Sequence, residues 1–389
     1  MSRRIALHLA FWLFGVAVVR LAVIPAEVCP QVSSHEVRTA VDEAADWLGR
    51  DFADGRYVYG YDRGTDTVST DYNHARHGGV LMSLFQVHAA TGSVEALAAG
   101  DLGVASALDQ LITHDDWIAW DPVGDVPVGA NSLLLAGLAI RRDATGDPVH
   151  DDVMRGLGRF LVSQQLGDGS VLAYWRPSTQ EPVGVYGTFA TGEAAWALAL
   201  IDHLFPDEGF GAAAAATLDY MATDRDRVEG RLTRLPDHWA AYTAAALRPD
   251  LLSPVATEYA RDLAGFFGIR LRFEAQRRGD GLNLALRWFP GPPAGVGTAG
   301  EGIGALGELA ATNAELSDLS DAIDERLVCT AGFMVQRQVT PEEAATGARP
   351  SLEQGAWFYR GYSQMDGQQH VISALLAALP VIEAREVGG

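Results

Sequence analysis

Apolar residues recur through most of the chain at intervals of three or four positions, which is the period of an α-helix. The helical segments are of two kinds that alternate along the sequence. Segments of the first kind are amphipathic, as in SSHEVRTAVDEAADWLGRDF, and this pattern predicts helices with one face in water. They cover residues 34–53, 97–113, 149–165, 209–223, 252–276 and 318–337.

Segments of the second kind are richer in Ala, Gly and Leu and poorer in charge, as in GANSLLLAGLA and HVISALLAALP. A helix that is apolar around most of its circumference belongs in the interior. Six pairs in series predict an all-α protein in which helical hairpins close into a ring around an inner barrel. The second members cover residues 74–92, 129–145, 188–204, 238–248, 299–313 and 366–384.

The loops between the helices differ in length according to their direction. Connections from inner to outer helices are short, as in TGSVE, TGDP, FPDEG and RPDL, whereas the opposite connections commonly have 14 to 28 residues. All long loops therefore lie at the end of the ring where the inner helices begin. Long loops on a rigid scaffold usually carry function, and converging helix N-termini favour an anionic ligand or developing negative charge.

The N-terminal segment has a different character. MSRR precedes an apolar stretch over residues 5–26 that is interrupted only by His8 and Arg20. This stretch is about long enough to cross a membrane, so residues 1–30 are interpreted as a signal anchor or a cleaved signal peptide, with a buried N-terminal helix as the third alternative. The preceding basic residues predict that the domain at 31–389 lies outside the cytoplasm, either anchored through 5–26 or secreted.

Composition excludes several classes of function. The net charge is −21, and all 29 basic residues are arginines. No basic stripe is available for phosphates, so we expect no nucleic-acid partner, and the absence of lysine excludes Schiff-base and P-loop lysine chemistry. Cys29 and Cys329 form a disulfide or remain free, which the sequence leaves open. Two isolated cysteines make a zinc site improbable, and we predict neither a metal nor a cofactor.

Several motifs resemble those of one superfamily. RHGGVLMSLFQ, FLVSQQLGDGSVLAYW, YGTFATGEAAWALALI, DHWAAYTAAAL and DGQQHVISALLAAL, together with the six hairpins, resemble bacterial exported members of the six-hairpin glycosidase-like proteins. The resemblance covers about 34–384 and implies an (α/α)6 toroid. Members include glycoside hydrolases, polysaccharide lyases and glucuronyl C5-epimerase-like domains. Terpene cyclases have similar rings, but the chain has no DxDD or DDxxD cluster.

The stretch DYNHARHGG places dense polar chemistry at the start of the first inner helix. Arg76 is a candidate clamp for a carboxylate, and His77 or His74 is a candidate proton shuttle. Tyr72 and Asn73 are candidate hydrogen-bonding groups for a substrate. The structural alternative is a network that caps the helix and ties two loops together. A metal pair formed by the two histidines, three positions apart, is a further alternative.

Four other polar residues begin inner helices and are catalytic candidates. Glu193 and Glu301 lie among small residues in ATGEAAW and TAGEGIG, where each is a candidate acid or base. Asp366 and His370 are one helical turn apart, a spacing at which an aspartate can orient a histidine base. The structural alternative is that these carboxylates interact with helix dipoles or cap the helices.

Other positions are candidates for substrate binding. His238 begins the fourth inner helix and Asn131 lies near the start of the second, although a core histidine is the alternative for His238. Aromatic faces bind sugar rings, and eight aromatic residues in the long loops predict a binding cleft. Buried loop anchors are the alternative for each of them. They are Trp117, Trp120, Trp175, Tyr186, Trp288, Trp357, Tyr359 and Tyr362.

These observations favour an outward-facing carbohydrate-active protein with an oligo- or polysaccharide as its partner. The expected substrate is an envelope polysaccharide, with uronic-acid polymers among the candidates. The reaction is expected to be hydrolysis, elimination or epimerisation by acid/base chemistry. The alternative is a non-catalytic glycan-binding or scaffold toroid in envelope assembly.

Overall fold

The structure is a computed structural model that describes residues 3–20, 25–121, 124–231, 236–277, 279, 283–285 and 288–388. The predicted helices of the second kind form an inner ring. Each contacts its two neighbours, and the last packs against both the fifth and the first, which closes the ring. The inner helices are α3 (His74–Thr91), α5 (Val128–Thr145), α7 (Ala190–Asp202), α10 (His238–Ala246), α12 (Pro293–Thr312) and α16 (Met365–Gly388).

The amphipathic segments form the outer layer, as their pattern predicts. Each outer helix precedes an inner helix and packs on the outside of the ring. Three very short helices, α9 (Arg225–Val228), α14 (Pro341–Ala344) and α15 (Pro350–Glu353), lie in the long loops. The outer helices are α2 (Ser34–Gly49), α4 (Val94–Leu108), α6 (Asp151–Ser163), α8 (Phe210–Thr223), α11 (Pro254–Ala275) and α13 (Ser320–Arg337).

Small residues let the inner helices approach closely. A Cβ added at Gly300 of α12 would lie 2.6 Å from the Cβ of Ala374 in α16, and one at Gly304 would lie 2.5 Å from that of Ala377. Protein interiors are packed too densely to absorb such overlaps. The glycines therefore set the separation of these two helices, which carry Glu301 and His370.

Side-chain caps fix where several helices begin. Asn73 accepts a hydrogen bond from the backbone N–H of Arg76 at 3.0 Å, and Asp237 accepts one from that of Trp239 at 3.0 Å. Such caps satisfy donors that the first helical turn leaves free. In α2, Ser33 and Glu36 form a reciprocal capping box.

The prediction of an all-helical chain is incomplete, because the long loops contain short antiparallel strands. Aromatic and β-branched residues in these loops pair with neighbouring loops, and β8 pairs with β1, which joins the last long loop to the first. The strands β5, β6 and β7 form a second three-stranded sheet. The strands are β1 (Gly60–Asp62), β2 (Thr67–Val68), β3 (Leu111–His114), β4 (Trp117–Trp120), β5 (Val126–Pro127), β6 (Tyr174–Arg176), β7 (Glu181–Val183) and β8 (Tyr362–Gln364).

The N-terminal region contains one exposed apolar helix, α1 (Arg3–Val18), of 16 residues. Among the described residues, no helix has both the length and the hydropathy needed to span a membrane. The predicted span over 5–26 is therefore not supported there, and its positions 21–24 lie outside the described residues.

The chain that follows α1 is attached to the outer layer. Cys29 and Cys329 form a disulfide across a sequence separation of 300 residues, which answers the question that the sequence left open. Glu27 forms ion pairs with Arg272 of α11 and Arg326 of α13. Glu27 and Cys29 thus attach this segment to two outer helices.

Candidate active site

A cavity of about 490 Å³ opens where the inner helices begin. Its walls come from the first turns of several inner helices and from α11. Polar and charged side chains converge in it, which is typical of an active or binding site. The lining residues are Asn73, Ala75, Arg76, Leu133, Phe189, Glu193, Pro236, His238, Trp239, Arg270, Ala294, Gly295, Thr298, Asp366, Gln369 and His370.

A buried carboxylate joins the two histidines of the cavity. Glu301 of α12 is completely buried, and its Oε2 lies 2.6 Å from Nδ1 of His370. The same oxygen lies 3.6 Å from Nε2 of His238. His370 donates a charge-assisted hydrogen bond to Glu301, which fixes the orientation of its ring. Three consecutive inner helices, α10, α12 and α16, thus contribute to one cluster.

The two histidines have opposite protonation. Burial by itself would lower the pKa of His370, but the attraction of Glu301, reinforced by Asp366, raises it to about 9. Burial, together with the nearby charge of His370, lowers the pKa of His238 well below its usual value. At neutral pH His370 is therefore an imidazolium and His238 a neutral imidazole, although their ring centroids are 5.2 Å apart.

Asp366 connects this cluster to the first inner helix. Its Oδ1 lies 3.1 Å from Nε of Arg76 and 3.7 Å from Nε2 of His370. Arg76 also donates a hydrogen bond through Nη1 to the hydroxyl of Tyr59. The guanidinium of Arg76 is therefore already engaged on two sides, and its first effect is to hold the carboxylate of Asp366 in the cavity.

Glu193 occupies a different environment in the same cavity. Its side chain lies on α7 with 9% of the residue exposed. Burial, and then the negative charge of Asp237, raise the pKa of Glu193 to about 8. The carboxyl is thus mostly protonated at neutral pH, as a proton donor must be.

Glycines and a buried ion pair surround Glu193. A Cβ at Gly129 of α5 would lie 2.2 Å from its Oε2, so only glycine leaves room for this carboxyl position. Behind Glu193, Asp237 is completely buried and accepts a hydrogen bond from Nη1 of Arg225 at 2.7 Å. Arg225 also donates to the carbonyl oxygen of Thr188 in the loop before α7. This network fixes the loop and the start of α10 around the carboxyl.

The histidine–glutamate cluster also has the donor set of a metal site. The ligand atoms of His238, Glu301 and His370 all lie within 4.8 Å of one another. Nε2 of His238 is buried and has no hydrogen-bond partner among the described residues. However, Nδ1 of His370 is already bonded to Glu301, so a metal would have to displace that hydrogen bond. The expectation that the protein has no metal or cofactor stays a prediction.

Some candidates from the sequence lie away from the cavity. His77 is buried, and its ring nitrogens contact the hydroxyl of Tyr72 at 2.6 Å and the carbonyl oxygen of Gly103 at 3.1 Å. Asn131 is buried and binds both backbone groups of Trp120. The contacts of His77 attach α3 to the loop before it and to α4, which is the structural alternative considered for DYNHARHGG. Those of Asn131 attach strand β4 to α5. Asn73 lines the cavity and caps α3.

Four of the eight candidate aromatic residues of the loops are buried anchors: Trp117, Trp120, Trp175 and Trp357. Trp175 is buried against Trp117, with ring centroids 4.9 Å apart, and the indole N–H of buried Trp357 donates to the carbonyl oxygen of Met334. Trp288 and Tyr186 are 68% and 37% exposed, and neither lines the cavity of about 490 Å³. Burial of indole rings under loops stabilises the toroid and leaves their faces unavailable to a sugar.

Sequence reasoning missed other residues of the cavity. Phe189 and Trp239 supply its aromatic walls, and Trp239 stacks on Trp196 with ring centroids 5.2 Å apart. Arg270 reaches the cavity from the outer helix α11. The motif DHW could have indicated Trp239, but an arginine on an amphipathic outer helix is indistinguishable by pattern from a solvated one.

No protein-family model matches the chain, and no curated protein matches it in sequence. Solved structures do match in fold. Cellobiose 2-epimerase from Spirochaeta thermophila is 11% identical, with a TM-score of 0.64, over 91% of this chain and 98% of that one. An unsaturated glucuronyl hydrolase specific for heparin is 12% identical, with a TM-score of 0.61, over 90% and 98%. A GH76 α-mannanase from Bacteroides thetaiotaomicron is 10% identical, with a TM-score of 0.60, over 91% and 97%.

These matches cover nearly the whole toroid and nearly the whole of each matched protein. They confirm the predicted resemblance at the level of the fold, which is the (α/α)6 toroid of six-hairpin glycosidase-like proteins. At identities this low the residues of the site have to be interpreted from their own geometry.

Proposed function

We propose that this protein is a carbohydrate-processing enzyme that hydrolyses a glycosidic bond in the cavity of about 490 Å³. The observation that carries the proposal is the pair of carboxyl groups in different environments. Glu193 is buried and protonated, with a pKa of about 8, whereas Asp366 forms an ion pair with Arg76. Glycoside hydrolysis requires such a pair, one carboxylic acid and one carboxylate.

Each group has a defined part in this reaction. Glu193 donates its proton to the glycosidic oxygen as the bond from that oxygen to the anomeric carbon breaks. The carboxylate of Asp366 accepts a proton from the water whose oxygen bonds to the same carbon. The imidazolium of His370, held by Glu301, lies beside Asp366 and orients that carboxylate.

The substrate class follows from the fold neighbours and from the charge of the site. The matched structures are those of an α-mannanase, a glucuronyl hydrolase specific for heparin and a cellobiose 2-epimerase, which supports an oligo- or polysaccharide here. Arg270 adds a cation to the cavity, and a uronic acid would supply the complementary carboxylate.

An extracytoplasmic location and an envelope substrate are part of the proposal. The disulfide between Cys29 and Cys329 supports an oxidising compartment, and the apolar helix α1, which begins with two arginines, supports export. Alkylation of whole cells with a membrane-impermeant thiol reagent, before and after reduction, tests this location. Labelling only after reduction supports it, and labelling confined to lysed cells contradicts it.

Epimerisation is the second candidate, because the cavity contains two histidines of opposite protonation. Neutral His238 has the acceptor capacity to remove a proton from a sugar carbon, and His370 can return one to the other face. Epimerisation and hydrolysis leave different isotopic products, so one experiment separates them.

The test is a panel of neutral and uronic oligosaccharides incubated with the full chain in parallel in ¹⁸O-water and in deuterium oxide. Mass spectrometry is the readout. Hydrolysis adds one ¹⁸O to a cleaved product, whereas epimerisation adds carbon-bound deuterium to an uncleaved sugar. An unsaturated end indicates elimination. If no glycan changes, the hydrolase proposal fails, and measured binding alone then supports the scaffold alternative.

Matched variants connect the activity to the site. Glu193→Gln and Asp366→Asn keep the shape of each side chain but remove its proton chemistry, and each is expected to lower turnover by about 100-fold or more. Glu181→Gln, on the exposed strand β7, is the control for the same chemical change. Full activity in Glu193→Gln would contradict the proposal.

A further inference from the structure

A second recess lies beside the cavity, along the outer helix α11, and differs from it in chemistry. This apolar groove has a volume of about 800 Å³. Phe266, Ile269 and Phe273 lie on one face of α11 and are 51%, 59% and 47% exposed. The outward face of an outer helix is expected to be polar. The apolar side chains that line the groove are Phe266, Ile269, Leu271, Phe273, Pro292 and Val296.

The groove and the cavity adjoin each other. Arg270 and Gly295 line both of them. The guanidinium of Arg270 packs closely against Gly295 between the two recesses, since a Cβ there would lie 2.4 Å from Nη2 of Arg270. A single molecule with a polar end and an apolar end could therefore occupy both recesses, with its two parts meeting at Arg270.

The charges at the junction favour an anion. Arg270 stays a cation at any physiological pH. The groove carboxylate of Glu274 is neutralised, because its oxygens lie 2.7 Å from Nη1 of Arg337 and 3.2 Å from Nη1 of Arg277. Arg270, Arg277 and Arg337 thus outnumber the carboxylate of Glu274 where the recesses meet, although Asp262 also lines the groove and the whole chain carries −21.

We propose that the substrate is an amphipathic glycolipid, whose apolar chain binds in the groove along α11 and whose anionic linker meets Arg270. The assignment of the sugar to the cavity rests on the proposed function, whereas the apolar chain and the anion are assigned by the groove itself. Each buried methylene raises affinity by about fourfold, so even a short chain contributes strongly to binding.

The test measures binding rather than turnover. Isothermal titration calorimetry of the full chain uses inorganic phosphate and hexyl, octyl and decyl phosphate, each below its critical micelle concentration. We expect affinity to rise by roughly tenfold for every two methylenes, which is slightly less than complete burial would give. An affinity that does not depend on the length of the alkyl chain would overturn the proposal. The groove would then bind nothing, a second copy of the protein or the apolar helix α1.

Variants locate the binding. The double variant Phe266→Ser, Ile269→Ser replaces exposed side chains, so it is expected to stay folded and to lose most of the dependence on chain length. Leu102→Ser, on α4 with 54% of the residue exposed, is the control and should keep it. Arg270→Gln should weaken all alkyl phosphates by a similar factor. A chain-length dependence that persists in the double variant would overturn the groove as the binding site.

The glycolipid proposal and the hydrolase proposal can fail separately, and the experiments distinguish the two failures. If alkyl phosphates bind with the expected dependence but no sugar is turned over, the groove proposal stands and the hydrolase proposal fails. If soluble oligosaccharides are hydrolysed but the dependence is missing, the hydrolase proposal stands and the glycolipid proposal fails.

Discussion

Replacing Glu193 by glutamine should change how the stability of the protein depends on pH. Burial raises the pKa of this carboxyl from 4.5 to about 8. Between these values the folded state keeps a proton that the unfolded state releases. The free energy of unfolding contributed by this group is therefore fully present below pH 4.5 and is lost as the pH rises towards 8, by about 1.4 kcal/mol per unit.

The expected size of the effect follows from the two pKa values. From pH 5 to pH 8 the loss amounts to roughly 3 kcal/mol, since the native carboxyl is half ionised at the upper pH. The glutamine variant cannot ionise and lacks this component. The stability of the variant relative to the wild type should thus rise by the same amount over this range.

Equilibrium unfolding in urea, followed by helical circular dichroism, measures the effect. The wild type, Glu193→Gln and the exposed control Glu181→Gln are compared at half-unit steps between pH 5 and 8. In the control, the free energy of unfolding should change with pH as it does in the wild type. If the free energy of unfolding of Glu193→Gln also changes with pH as in the wild type, Glu193 has an ordinary pKa and is ionised at neutral pH. The reasoning that makes it the proton donor is then refuted.

Three other perturbations test separate parts of the structure. Gly129→Ala should displace the carboxyl of Glu193, because the added Cβ would lie 2.2 Å from its Oε2, and we expect turnover to fall about 100-fold with unchanged helical content. His370→Asn removes the cation that pairs with a buried carboxylate and should lower the free energy of unfolding by about 3–5 kcal/mol in urea at pH 8. Reduction of the disulfide between Cys29 and Cys329 opens a loop of 300 residues and should destabilise the protein by about 5 kcal/mol, measured as a lower thermal midpoint in dithiothreitol.

Each of these predictions has a contrary outcome, and two of them have a control variant. Gly268→Ala adds a Cβ whose nearest neighbour is 3.8 Å away, so it should keep full activity; equal losses in both alanine variants would exclude displacement of Glu193 as the cause. For His370→Asn, a loss below about 1 kcal/mol would show that the buried pair is not ionic. Cys29→Ser should be insensitive to dithiothreitol, and an unchanged midpoint in the reduced wild type would contradict the loop argument.

The helical ring was predictable because its signal is local. The inner segments are apolar around their circumference, and the helix predicted at 188–204 is observed at Ala190–Asp202. Loop length then placed the long loops at one end without any knowledge of contacts. The strands were not predictable in the same way, because β1 and β8 have three residues each and pair across the full length of the sequence.

The site was predictable only in part, for a geometric reason. A polar residue in an apolar helix is conspicuous, and the structure brings Glu193, Glu301, Asp366 and His370 together. The predicted start of the fifth inner helix at 299 was wrong, because α12 begins at Pro293 and Glu301 lies in its third turn. The direction in which such a side chain points depends on how the helix is rotated in the ring. That rotation turns His77 away from the cavity and towards α4, and it cannot be read from spacing alone.

The most direct measurement of the central claim, that Glu193 protonates a leaving group, compares two glycosides of the sugar that the panel identifies. One has an alkyl leaving group that needs a proton, and the other has 2,4-dinitrophenolate, which does not. We predict that Glu193→Gln cleaves the alkyl glycoside about 100-fold or more slowly than the wild type and cleaves the dinitrophenyl glycoside nearly as fast. Equal losses on both substrates, or no loss on either, would contradict the assignment of Glu193 as the general acid.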